Sequence, residues 1–115
     1  MKLTRGVVKM KYNDFKNLLE NRLSGYEVFM QKAEEFQIAK NKLRSGKAKW
    51  NDKKVNKAIN GMWDQAAQNI YQTVKNMDKI PNSRSLDPYN DWLKFMESRN
   101  LFEVLSDSLA DVEME

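Results

Sequence analysis

The chain has no cysteine and no histidine. Without cysteine there is no disulfide staple, no thiolate nucleophile and no thiolate metal site. Without histidine the commonest general base and the commonest transition-metal ligand are missing. The two absences together exclude Ser–His and Cys–His nucleophile–base pairs. Glycine and proline are scarce, four and two in 115 residues, so turns are few and elements long. No apolar run approaches the roughly 20 residues of a membrane span. The first residues, MKLTRGVVKMK, lack the apolar stretch of a secretory signal. A soluble cytoplasmic protein is expected (in the host cytoplasm if phage-encoded), with no membrane and no small-molecule cofactor.

What is present is charge and helical pattern. A length of 115 residues suits one small domain. Hydrophobic residues make up 41% and charged residues 31%, which favours long helices with solvated outer faces over a compact β-fold. The net charge of +4 hides a split. Residues 1–86 hold 18 basic and 8 acidic side chains, whereas residues 87–115 hold 2 basic and 8 acidic ones. Either the two parts pair with each other, or a basic binding surface coexists with an acidic end. Lysine and asparagine are both abundant, a bias shared with AT-rich genomes such as those of many phages.

From Asn13 onward Phe15, Leu19, Leu23, Tyr26, Phe29 or Met30, Ala33, Phe36 and Leu43 recur at spacings of mostly three and four. That is one face of a helix, with Asn13 as its N-cap. Ser24 and Glu27 form a capping-box pattern, with Leu23 and Val28 as its hydrophobic staple. The apolar register nonetheless continues without a slip, so one long helix kinked at Gly25 is preferred over two. Ser45-Gly46 closes it, Gly46 taking a left-handed conformation. Asn51 caps a second long helix from Asp52 to Lys79, with Val55, Ile59, Met62, Ala66, Ile70, Val74 and Met77 on its inner face, Trp63 and Tyr71 widening the stripe, and Ile80-Pro81 as its stop. Gly61 is expected to admit a neighbouring helix. Asp87-Pro88 opens a short helix, and Asn100 with Glu103 opens a last one.

The fold class is therefore all-α: a long antiparallel helical hairpin with one or two shorter C-terminal helices packed across it. Residues 1–12 form a flexible basic arm, 13–111 a single helical domain, and 112–115 a frayed acidic tail.

No catalytic constellation stands out. Ser45 and Lys47 lie in a helix-ending turn with no oxyanion hole. Ser45-Gly46-Lys47-Ala48 lacks the leading glycine and trailing hydroxyl of a phosphate loop. Glu34 and Glu35 are adjacent and point to different sides of their helix. The chain is expected not to be an enzyme.

Binding remains. The corner of the hairpin, Lys40 to Lys57, gathers Lys40, Lys42, Arg44, Lys47, Lys49, Lys53, Lys54 and Lys57 around Trp50, against one acid, Asp52. Lysines neutralise phosphates and an aromatic ring stacks on an exposed base. These nine residues are the candidate nucleic-acid site, for DNA or RNA read without much sequence preference. Lys2, Arg5, Lys9 and Lys11 of the arm add charge. The structural alternative makes Trp50 a hydrophobic staple on Val55 and the lysines a solvated loop. A second reading is a protein–protein adaptor, virion component or inhibitor of host machinery. It would use Tyr89, Trp92, Phe95 and Phe102, residue types enriched at binding hot spots, or self-associate to cover its apolar stripe.

Overall fold

The computed structural model describes residues 10–77, 80–81 and 86–114. Residues 1–9, most of the expected arm, lie outside them. The described residues form five α-helices and no strand: α1 (Tyr12–Arg22), α2 (Gly25–Lys42), α3 (Asp52–Lys75), α4 (Pro88–Ser98) and α5 (Leu101–Asp111). α1 and α2 both pack on α3, α5 lies on α2, and α4 on α5. The hairpin is thus formed by α1 and α2 together against α3, with two shorter helices across it. The molecule is elongated, 60 × 34 × 20 Å.

The single long helix expected before the corner is two helices. Leu23 is extended (φ −95°, ψ 114°) and buried, and separates α1 from α2. The periodic signal survived because the break keeps both apolar faces turned to α3. Phe15, Leu18 and Leu19 are buried from α1, and Phe29 and Ala33 from α2. The capping pattern does not operate: Ser24 makes no side-chain cap bond, and Val28 is exposed instead of stapling to Leu23. Tertiary packing sets the break. A Cβ on Gly25 would lie 2.2 Å from the backbone oxygen of Ser106, so α5 crosses α2 at backbone distance there. Gly61, expected to play that part, is exposed and has nothing near its Cβ position.

Helix ends follow local chemistry in some places only. The Asn51 side chain accepts the Lys54 amide at 2.9 Å, and Asp87 accepts that of Asn90 at 3.3 Å, with Pro88 in the first turn. Both caps satisfy orphan amides as read from sequence. α1 instead starts one residue before Asn13, with Lys11 at its cap and no side-chain bond. α3 ends at Lys75, short of the expected Lys79, with Asn76 as its C-cap; residues 78–79 fall outside the described part. Asn100 takes the left-handed conformation (φ 57°) between α4 and α5, and its amide reaches Glu103 Oε2 at 3.4 Å rather than capping the backbone.

The core holds Phe15, Leu18, Leu19, Val74 and Met96 almost without solvent contact. Each such side chain contributes about 1.5–3 kcal/mol by burial. Trp92 packs edge-on to Phe15 and stacks on Tyr71, with centroids 5.4 and 5.7 Å apart. Trp63 meets Tyr26 and Phe29 and donates its indole N–H to Glu20 at 2.7 Å. Met10 is buried, and its carbonyl accepts the Tyr71 hydroxyl at 2.6 Å. Packing against the core therefore extends two residues before Tyr12. At the other end, Val112 and Met114 are half-buried against the core. Lys32 Nζ donates to the carbonyls of Ala110 and Val112, a cation at the negative end of the α5 dipole. Residues 112–114 follow α5 without helical structure, with Glu113 exposed. No described helix is long and apolar enough to cross a membrane.

Candidate nucleic-acid interface

The corner between α2 and α3 is built around one asparagine. Asn41 Oδ1 accepts the Trp50 backbone amide at 2.8 Å, and Asn41 Nδ2 donates to the Trp50 carbonyl at 2.9 Å. One side chain thus satisfies both main-chain groups of the residue that leads into α3, as a neighbouring strand would. Between them, Leu43 and Arg44 leave α2, and Gly46–Ala48 make a single 3-10 turn. Gly46 has φ +55°, the left-handed conformation expected of it. It lies three residues past the α2 C-cap Leu43, however, and opens the turn rather than closing the helix.

Trp50 is half-buried and packs against the core. The Arg44 guanidinium lies 3.7 Å from its ring centroid and the Lys54 ammonium 4.9 Å. Cations over an indole are attracted by its quadrupole. The ring therefore organises two of the corner's charges, and stacking a base on it would first require moving Arg44. Arg44 also donates to Asn41 Oδ1 at 3.2 Å. Lys40 sits over the Phe36 ring at 5.3 Å. Lys42, Lys47, Lys49, Lys53 and Lys57 are exposed. None of the eight cations pairs with a carboxylate among the described residues, where the ion pairs are Lys16–Asp64 at 3.3 Å and Arg22–Glu97 at 3.0 Å. The acids after Asp87 do not neutralise the corner.

Helix dipoles divide these charges into two groups. Lys40 and Lys42 stand in the last turn of α2, where a cation is favourable by about 0.3–1 kcal/mol. Lys53 and Lys54 stand in the first turn of α3, where the same effect opposes them. Their placement does not serve the helix. It adds to the positive charge of the corner, against the one acid of that turn, Asp52.

Of the arm's cations only Lys11 is among the described residues, and it stands away from the corner. Lys11 caps α1 beside Tyr71, which lies about 30 Å along α3 from Asn51 at 1.5 Å per residue; Lys2, Arg5 and Lys9 lie outside the described residues.

The second set of sequence candidates is scattered. Trp92 is 5% exposed and belongs to the core. Phe95 and Phe102 are half-buried, each with an arginine over its ring, Arg99 at 4.6 Å and Arg22 at 4.5 Å. Tyr89 alone of the four is exposed. The residue most important to the corner's shape that sequence reasoning missed is Asn41. Asn41 lies nine residues before its partner and carries no local signal. Leu43, counted as a core position, is 88% exposed.

No family model, curated protein or solved structure matches this chain.

Proposed function

We propose that this is a non-enzymatic accessory protein of the cytoplasm that binds the backbone of nucleic acid through the α2–α3 corner, largely without regard to sequence. The observation that carries the reading is the set of corner cations left without carboxylate partners on a scaffold that does not need them. Lys53 and Lys54 oppose the dipole of their own helix, and the corner's shape is held by the Asn41 amide and the Trp50 ring. Phosphates supply what the fold does not: each neutralised phosphate releases condensed counterions, which drives binding and makes it salt-dependent. Trp50 serves this contact by ordering Arg44 and Lys54 rather than by stacking on a base.

The test is titration of a labelled mixed-sequence oligonucleotide pool. Affinity should fall steeply between about 50 and 200 mM salt. Lys47→Glu, Lys49→Glu, Lys53→Glu and Lys54→Glu together should abolish binding. Unchanged affinity in that variant would remove the proposal.

A further inference from the structure

The chain carries two exposed faces of opposite sign that it does not use on itself. One is the corner, where Leu43 stands 88% exposed beside Lys42 and Arg44 in the chain. The other is the outward side of α5. Glu103, Asp107 and Asp111 recur every fourth residue, so they share one side of the helix, and all three are exposed. Val104, next to Glu103, is 52% exposed. Among the described residues no cation pairs with these carboxylates, and Glu103 only accepts from the Asn100 amide.

The fold keeps the two faces apart. Ser106 lies against Gly25, and Lys32 holds the carbonyls of Ala110 and Val112. α5 therefore rests over the first part of α2. From Lys32 to Lys42 the helix runs on for about 15 Å, beyond the Debye length of about 8 Å at physiological salt. Glu103, Asp107 and Asp111 of one copy do not screen that copy's own corner.

We infer that the acidic side of α5 docks on the basic corner of a second copy, with Val104 against Leu43. Each face supplies what the other lacks: carboxylates for unpaired amines, and an apolar side chain for an apolar side chain. Both are present on every copy. The contact joins different patches of the two copies, so each pair leaves one corner and one α5 open. Association of this kind closes into a ring or continues as a filament. Because it uses the same lysines as the proposed nucleic-acid contact, the two compete.

Sedimentation velocity of the full chain over a range of concentrations tests this, at about 20 mM and about 500 mM salt. At low salt the average mass should rise at least about two-fold above the 13.6 kDa of one chain and return to it at high salt. Lys49→Glu with Lys53→Glu, and Asp107→Lys with Asp111→Lys, should each hold the particle at one chain. All four changes in one chain should restore the rise. An equimolar mixture of the two double variants should also restore the rise, because the two unchanged faces match each other and so do the two reversed ones. A wild-type chain that stays single at every concentration overturns the inference. So does growth that survives Asp107→Lys with Asp111→Lys, or a mixture that fails to pair. The Asp107/Asp111 variant should bind nucleic acid at least as tightly as the wild-type chain, so failure of self-association and failure of the functional reading are read separately.

Discussion

The seam between α1 and α3 and the corner between α2 and α3 handle charge in opposite ways. At the seam Asp64, Lys16 and Glu20 each have a partner. Asp64 accepts the Tyr12 hydroxyl at 2.5 Å, pairs with Lys16 and accepts the Gln68 amide. Glu20 accepts from the Trp63 indole, and Arg22 pairs with Glu97 while lying over Phe102. At the corner the polar work is done by a neutral amide, and all the cations but Arg44 are exposed. Charge at the seam belongs to the fold, whereas charge at the corner is surplus to it. A surplus of one sign, kept at a place where the helix dipole opposes it, is the physical basis for assigning a binding role there.

The largest effect that sharpens this contrast lies on the seam side, where α1 hands over to α2. Gly25→Ala places a methyl against the Ser106 backbone, which side-chain rotation does not relieve. It should cost roughly 3 kcal/mol, at the upper end of overpacking effects, measured as a shift in the urea midpoint with unchanged slope. A loss below about 0.5 kcal/mol, the range of neutral surface changes, would mean that the α2–α5 crossing is loose.

At the corner, Asn41→Ala leaves the Trp50 amide and carbonyl without their partner in a half-buried position. It should cost about 1–2 kcal/mol and lower nucleic-acid affinity although no charge is removed. Full affinity in that variant would break the distinction between a shape-holding amide and the charges it presents.

The smallest effect is one of pH. The hydrogen bond from Tyr12, then that from Lys16, holds the Asp64 carboxyl below its ordinary value against the opposing effect of desolvation. The stability this provides is present above the carboxyl's unfolded value and is lost as pH falls through the lower folded one. Asp64→Asn should therefore flatten the acid limb of a thermal-stability profile below about pH 4 and leave the corner's binding unchanged. Burial first, then the Asp64 hydrogen bond, raises the Tyr12 phenol well above its ordinary range. Its contribution is present below the unfolded value of about 10 and is lost as pH rises beyond it.

Much of the architecture was legible because period and caps are local. The α3 stripe, the Asn51 and Asp87 caps and the left-handed Gly46 all follow from residues within a few positions of one another. The division of α1 from α2 was not legible, because a single extended residue, Leu23, preserves the phase that periodicity reports. Its cause, Ser106 pressing on Gly25, lies 81 positions away along the chain. Gly61 misled for the same reason: sequence identifies a missing side chain but not whether a neighbour arrives to use the space. In the candidate site, the cluster of lysines was plain in the primary structure. The Asn41 clasp and the arginine over Trp50 depend on how two helices are joined, and no local pattern encodes them.

The clasp also bears on how this surface can change over time. Since one uncharged residue fixes the path of the chain, individual lysines around it are free to be gained, lost or exchanged for arginine without altering the bend. Natural variants should accordingly show drifting positions of positive charge around a fixed asparagine, so that affinity is tuned in small steps while the scaffold stays the same.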